Sequence, residues 1–161
     1  MKSSEDSGMA AVKLLFKRFP RLYRALIYIF AAQPMNTTSF TFVQRLPQDA
    51  LVLNVGSGPR TLRKGVINID VSPFEGVDIL ADAQHLPFET ESVDAIVCDN
   101  VLEHVERPLC VVRELLRVLK QGGLVYIAVP FVIPYHSSPN DYSRWSEEGL
   151  RRLLEGFSEM E

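Results

Sequence analysis

From Leu51 onward the apolar residues gather into short runs separated by polar or turn-forming stretches. Leu51-Val52-Leu53-Asn54-Val55, Val66-Ile67-Asn68-Ile69, Val77-Asp78-Ile79-Leu80-Ala81, Val93-Asp94-Ala95-Ile96-Val97-Cys98 and Leu124-Val125-Tyr126-Ile127-Ala128-Val129 are rich in β-branched residues and show little polar alternation. That pattern predicts strands buried on both faces, as in a parallel sheet. Between the fourth and fifth runs the period changes. Leu109, Val112, Leu115, Leu116 and Leu119 form an apolar stripe opposite Arg113, Glu114, Arg117 and Lys120, with Pro108 in the first turn and Gly122-Gly123 as the end signal. A second helix is predicted after Ser146-Glu147-Glu148, with Leu150, Leu153 and Leu154 as its apolar face. The expected architecture is α/β: a doubly wound, mostly parallel sheet of about five strands.

In such a sheet ligands bind at the carboxyl ends of the strands. The predicted strands there present Asn54, Asp70, Asp82, Asp99 and Asn100, each of which would also serve as an ordinary helix cap or turn former. The first strand runs into Gly56-Ser57-Gly58, a tight turn whose backbone a ligand can approach closely. Asp70, at the end of the second strand, is placed to accept from a ribose, since one carboxylate can take both hydroxyls. A dinucleotide fingerprint would need a third small residue at position 61, where Thr61 stands, and Pro59 interrupts the turn. A nicotinamide oxidoreductase is therefore disfavoured.

Residues 1–34 differ in character from the rest. They carry six basic residues against two acidic ones, net +4, within a chain of net charge −3. Leu14, Leu15, Phe19, Leu22, Leu26, Ile29 and Phe30 fall near helical spacing there, divided at Pro20. Ala25 to Ala32 is the longest charge-free apolar piece and is too short to span a bilayer. A helix packed on the domain, a basic amphipathic helix on anionic lipid through residues 12–32, and a signal sequence remain as readings. Residues 35–50 read as a polar connector, and 51–161 as the ligand-binding domain. The body is acidic and lacks the basic stripe of a nucleic-acid binder. Cys98 and Cys110 have neither metal-ligand nor redox spacing, which suggests reduced core thiols in a cytoplasmic protein; no metal is expected.

Taken together these motifs resemble the class I S-adenosylmethionine-dependent methyltransferases, particularly the group acting on small molecules and on lipid- or glycan-linked acceptors. The resemblance runs from about Leu51 to Phe157. It rests on Leu53-Asn54-Val55-Gly56-Ser57-Gly58, Ile69-Asp70, Ala81-Asp82-Ala83 with Leu86-Pro87-Phe88, Asp99-Asn100-Val101-Leu102-Glu103-His104-Val105, and Leu116 to Gly123. It implies S-adenosylmethionine as cofactor, with Asn54, Gly56, Ser57 and Gly58 around the methionine part, Asp70 on the ribose, Asp82 and the Ala83 amide on the adenine, and Asp99 or Asn100 near the sulfonium. His104 and His136 are the candidate catalytic bases, with Tyr142 and Asp141 near the latter; His85 is expected beside the adenine.

The chain departs from the family pattern in three ways. Asn54 stands where an acid is common, the third glycine is missing, and the C-terminal antiparallel hairpin that normally flanks the fifth strand is absent before Glu161. An exposed fifth-strand edge would follow, open to a second copy of the chain in a homodimer. A non-catalytic cofactor-binding or regulatory module of the same fold is the alternative to an enzyme.

Overall fold

The computed structural model describes residues 38–137 and 139–158, so the basic arm, with its expected lipid contact through 12–32, and the start of the connector lie outside the described residues. Five strands form one sheet: β1 (Val52–Val55), β2 (Val66–Asp70), β3 (Ile79–Leu80), β4 (Val93–Asp99) and β5 (Leu119–Ala128). Their order is β3-β2-β1-β4-β5, and all four pairings are parallel. The central strands are the most apolar and the most buried: all of β1 is inaccessible to solvent, as is most of β4. This is the predicted sheet.

Among the described residues three α-helices accompany it. α1 (Ser39–Arg45) lies inside the expected connector. It escapes the sequence pattern because its start is a Thr38/Thr41 capping box rather than the usual pairing with Glu or Gln. Val43 and Leu46 pack with Val52, Val66, Ala95 and Val97 on one sheet face. The Arg63 guanidinium donates to the carbonyls of Val43, Leu46 and Pro47 at 2.8, 3.1 and 3.0 Å, satisfying the orphan acceptors at the end of α1. α2 (Pro108–Val118) and α3 (Glu147–Leu153) serve the opposite face, where Leu53, Ile69, Ile96, Val111, Leu115 and Leu154 form the larger core.

Of the crossovers between consecutive strands, α2 alone is an α-helix among the described residues. The connections after β1, β2 and β3 are loops, and two of them insert a leucine where a helix would otherwise pack. Leu62 enters the face covered by α1, and Leu86 the face covered by α2. The Leu86 loop is pinned electrostatically. Glu114 accepts the Leu86 amide at 2.7 Å and is bonded to Arg117, which also donates to the carbonyls of Leu86 and Phe88. The Arg117 bond, more than the Leu86 amide, holds the Glu114 carboxyl below the ordinary glutamate range.

The transition from α2 to β5 differs from the pattern prediction. Leu119 adopts extended backbone and already pairs with Val93, after which the register jumps from Val93/Leu119 to Ala95/Leu124. Gly122, at φ +73°, and Gly123 therefore lie in an irregularity within β5 rather than at a helix end. A Cβ at Gly123 would stand 3.0 Å from the Asp94 carbonyl oxygen, so the close approach of the two strands needs glycine there. Asp94, which bonds the Leu51 amide and Lys120, fixes the same corner.

Leu115 is fully buried whereas Leu109, in the same sequence stripe, is 45% exposed. Leu115→Ala should lower unfolding free energy by about 2–5 kcal/mol and Leu109→Ala by under about 0.5 kcal/mol, as read by urea denaturation. Glu114→Gln should cost about 1 kcal/mol at neutral pH, the value for a partly exposed charged pair. Because the folded carboxyl is depressed, that contribution is present above the unfolded glutamate pKa of about 4.3 and fades as pH falls through the lower folded value. The gap between wild type and variant should close in acid.

Candidate cofactor and acceptor site

The turn after β1 is held by its backbone. Gly56 and Gly58 have φ of +67° and +54°, the left-handed region that glycine enters without a Cβ penalty. Gly56 also abuts the turn after β4: a Cβ there would lie 2.3 Å from Val101 Cγ2. Gly58 is open on its outer side, with nothing within 4 Å of a Cβ position. The Ser57 amide donates to the Ile69 carbonyl at 3.0 Å, and the Gly58 amide to Asp70 Oδ2 at 2.8 Å, so the turn after β1 is fastened to the end of β2. Asp70 Oδ1 takes the Ser72 amide at 2.8 Å. A carboxylate has about four acceptor directions. Two amide bonds therefore leave Asp70 capacity for ligand hydroxyls.

Asn54 is directed elsewhere. It pairs in register with Asn68, its side-chain amide donates to Asn68 Oδ1 at 3.0 Å and to the Arg60 carbonyl at 3.1 Å, and Asn68 in turn donates to the Gly76 carbonyl. This buried amide chain shapes the loops after β1 and β2. An acid at position 54 could not donate to Asn68 and the Arg60 carbonyl as the amide does.

Beyond β3, Asp82 is exposed and accepts the Gln84 amide at 2.9 Å, while the His85 amide bonds the Asp82 carbonyl. Ala83 is half-buried within that turn and His85 is exposed. Across the sheet, Asp99 closes β4. Its carboxylate takes Ser39 Oγ at 2.8 Å, Arg60 at 2.9 Å and the Asn100 side chain at 2.9 Å. Ser39 and Arg60 were not apparent as site residues because only the fold brings α1 and the first loop over β4. Asn100 sits at φ +58°, which its short polar side chain tolerates, and donates its amide to the Ala128 carbonyl. Sheet order therefore sets Asp82, Asp70, the glycine turn and Asp99/Asn100 along one edge in that sequence.

His104 and His136, 32 residues apart, come together with ring centroids 5.0 Å apart and edge to face. His104 lies in a 3-10 turn (Leu102–His104), and its Nδ1 faces the Asn140 carbonyl. His136 is positioned by Asp141, which accepts its backbone amide at 2.8 Å and is ion-paired with Arg144. The Arg144 hydrogen bonds, ahead of the His136 amide, hold the Asp141 carboxyl well below the usual carboxylate range. The Tyr142 amide donates to the Glu103 carbonyl at 2.7 Å, tying this loop to the turn after β4. Trp145 packs on the larger core, the structural role. Glu103 is a residue the sequence reading passed over. It is fully buried, neither carboxylate oxygen has a hydrogen-bond partner, and desolvation raises its carboxyl above the ordinary range.

Of the two thiols, Cys98 is buried in β4 and its pKa is pushed up to about 12 by desolvation, so it is inert; Cys110 is half-buried in the first turn of α2. Among the described residues no helix is long and apolar enough to cross a membrane.

Residues 56–127 match the family described as a methyltransferase domain. An uncharacterized methyltransferase of Mycobacterium tuberculosis is 34% identical over 101 residues, covering 51% of this chain and 40% of the relative. One from Mycobacterium leprae is 35% identical over 80 residues, covering 50% of this chain and 30% of the relative. The chain thus spans at most 40% of the length of these curated relatives. In three dimensions it resembles a S-adenosylmethionine-dependent methyltransferase from Thermotoga maritima, with TM-score 0.57, 18% identity, and 88% of this chain and 78% of that chain covered. A Bacillus halodurans protein solved as a candidate methyltransferase gives TM-score 0.61 at 18% identity, covering 73% of this chain and 65% of that one. The [4+2]-cyclase SpnF shares the fold as well, with TM-score 0.53, 23% identity, and 66% and 50% covered. Residues 56–127 are thus similar to a methyltransferase domain, and the solved neighbours share the Rossmann-like parallel sheet.

Proposed function

We propose that this chain binds S-adenosylmethionine along the carboxyl edge of its sheet and directs methyl transfer to a glycan- or lipid-linked acceptor in the cytoplasm. The observation that carries the reading is Asp70: a buried carboxylate locked by the Gly58 and Ser72 amides, with acceptor capacity left over, beside a turn whose outer side is open. When bound, the cofactor supplies an activated methyl on a sulfonium. Asp70 accepts from the ribose hydroxyls, Asp82 from the adenine amino group, and the Ala83 amide donates to the ring. Gly56, Ser57 and Gly58 let backbone approach the methionine part, with Asn54 setting the shape of that loop from beneath. Asp99 and Asn100 provide an electronegative wall near the sulfonium, although Arg60 offsets part of the Asp99 charge.

Alignment of the acceptor accounts for most of the rate, since orientation can supply about 7–11 kcal/mol. A general base adds about 10²–10⁴-fold and matters for a hydroxyl acceptor. His104 and His136, whose rings meet edge to face, are the bases assigned to take that proton. The loop after β5 exposes Phe131, Val132, Ile133, Tyr135 and Tyr142, and Ile133, Tyr135 and Tyr142 line a groove with Arg144, an apolar and aromatic surface beside a cation that suits a sugar ring or a lipid-linked headgroup.

Calorimetric titration with S-adenosylmethionine tests the cofactor. Removing a charged hydrogen-bond partner costs about 1.5–3 kcal/mol, so Asp70→Ala should weaken binding by about 10- to 100-fold. Asp82→Ala, which leaves the glycine turn untouched, should weaken it by up to about tenfold. No binding by the folded chain favours a non-catalytic module; unchanged affinity in both variants removes the residue assignments.

A further inference from the structure

Glu103, His104 and His136 each place one donor atom so that all three lie within 4.8 Å of one another. Their surroundings are those of a ligand set. The Glu103 carboxylate is 0% exposed and has no hydrogen-bond partner, a state that costs several kcal/mol for a charged group unless something else compensates it. Its Oε1 faces His104 Nε2 at 3.7 Å, too far for a hydrogen bond. On the other side of that ring, Nδ1 faces the Asn140 carbonyl, which only an N–H can satisfy, so the lone pair belongs to Nε2. With Glu103 ionised and the ring neutral, two electron-pair donors face each other across this gap, the pairing that a bound cation would favour.

His136 follows the same plan. Its Nδ1 has two neighbours, the Pro134 carbonyl at 3.2 Å, which needs an N–H, and the Arg144 guanidinium, which can only donate; the tautomer with Nδ1–H toward Pro134 is the one that frees Nε2 for a metal, and Asp141 takes the backbone amide. The nearest fixed cation, Arg144, lies 3.3 Å from His136 Nδ1 and is held by Asp141, so its charge is largely balanced. Zinc bonds to imidazole nitrogen and carboxylate oxygen are about 2.0–2.2 Å long, so two ligands of one ion lie up to about 4 Å apart. The 3.7 Å gap fits, and the third donor atom, from His136, lies within 4.8 Å of the other two.

We propose that Glu103, His104 Nε2 and His136 Nε2 form a binding site for a divalent transition metal of the zinc type, open on one side to solvent or an acceptor. Two imidazoles and one carboxylate suit zinc better than magnesium, which demands oxygen ligands. Backbone carbonyls on both Nδ1 atoms provide the outer support that orients metal-binding histidines. Sequence spacing does not show this meeting, because residues 103/104 and 136 are brought together only in the fold, by the loop after β5. In an occupied site the imidazoles would be ligands rather than bases, and the ion would ease loss of a hydroxyl proton by lowering the pKa of a bound hydroxyl. The inference stands without the methyl-transfer reading.

The test is calorimetric titration of Zn²⁺ alone into the purified full chain, with Co²⁺ absorption reporting ligand geometry. One zinc should bind per chain with micromolar or tighter affinity. Loss of an outer partner costs about 10–100-fold in metal affinity, so loss of a ligand in His136→Ala should exceed about 100-fold. His85→Ala, the control at the remaining histidine, should leave binding unchanged. His136 is 39% exposed in its side chain, so its removal leaves the core intact, whereas Glu103→Gln is accepted only with a native circular dichroism spectrum. Absence of zinc binding, or zinc binding that His136→Ala does not weaken, overturns the proposal.

Discussion

The arrangement of this molecule depends on the approach of two backbone turns. Gly56, after β1, lies so close to Val101, after β4, that any side chain at position 56 would overlap it, and the positive φ there excludes most residues independently. Because β1 and β4 are neighbours, this approach fixes the middle of the sheet's carboxyl edge. The Gly58 amide then reaches Asp70 on one side, and Arg60 reaches Asp99 on the other. A single steric constraint therefore sets the spacing between the acids that would flank a ligand.

The remainder of the domain makes few helices serve for many. Short loops after β1 and β3 each insert one leucine into the core, and an arginine anchors each layer: Arg63 holds the end of α1, and Arg117 with Glu114 holds the Leu86 loop. Guanidinium groups suit this role, since a planar fork of donors can bind several carbonyls at once. The loop through Leu86 and Phe88 is consequently set by electrostatics as much as by apolar packing.

Two carboxyls beside the histidine pair show how surroundings set charge. Asp141 is nearly inaccessible yet paired with Arg144 and a backbone amide, and it stays ionised. Glu103 is equally buried but its oxygens accept no hydrogen bond, and desolvation outweighs the nearby positive charges and raises its carboxyl above the ordinary range. The sequence around each is unremarkable in charge; the difference arises from which groups the loop after β5 carries to them.

Sequence alone determined the sheet, because a buried parallel strand must be apolar on both faces and such runs are visible without any knowledge of partners. It also marked Asp70, Asp82, Asp99 and Asn100, since residues that end apolar runs fall at one edge whenever the strands are parallel. Tertiary structure decided what lies between distant positions. The α1 helix was hidden by its threonine cap, Gly122-Gly123 by a register jump visible only in the pairing of β4 with β5, and the roles of Ser39 and Arg60 by the fold that brings them to Asp99. Asn54, which sequence placed at the ligand edge, spends its amide on Asn68 and Arg60, as cross-strand register alone could reveal. The meeting of Glu103, His104 and His136 belongs to the same class: desolvation and donor geometry depend on neighbours in space, and local periodicity carries no record of them.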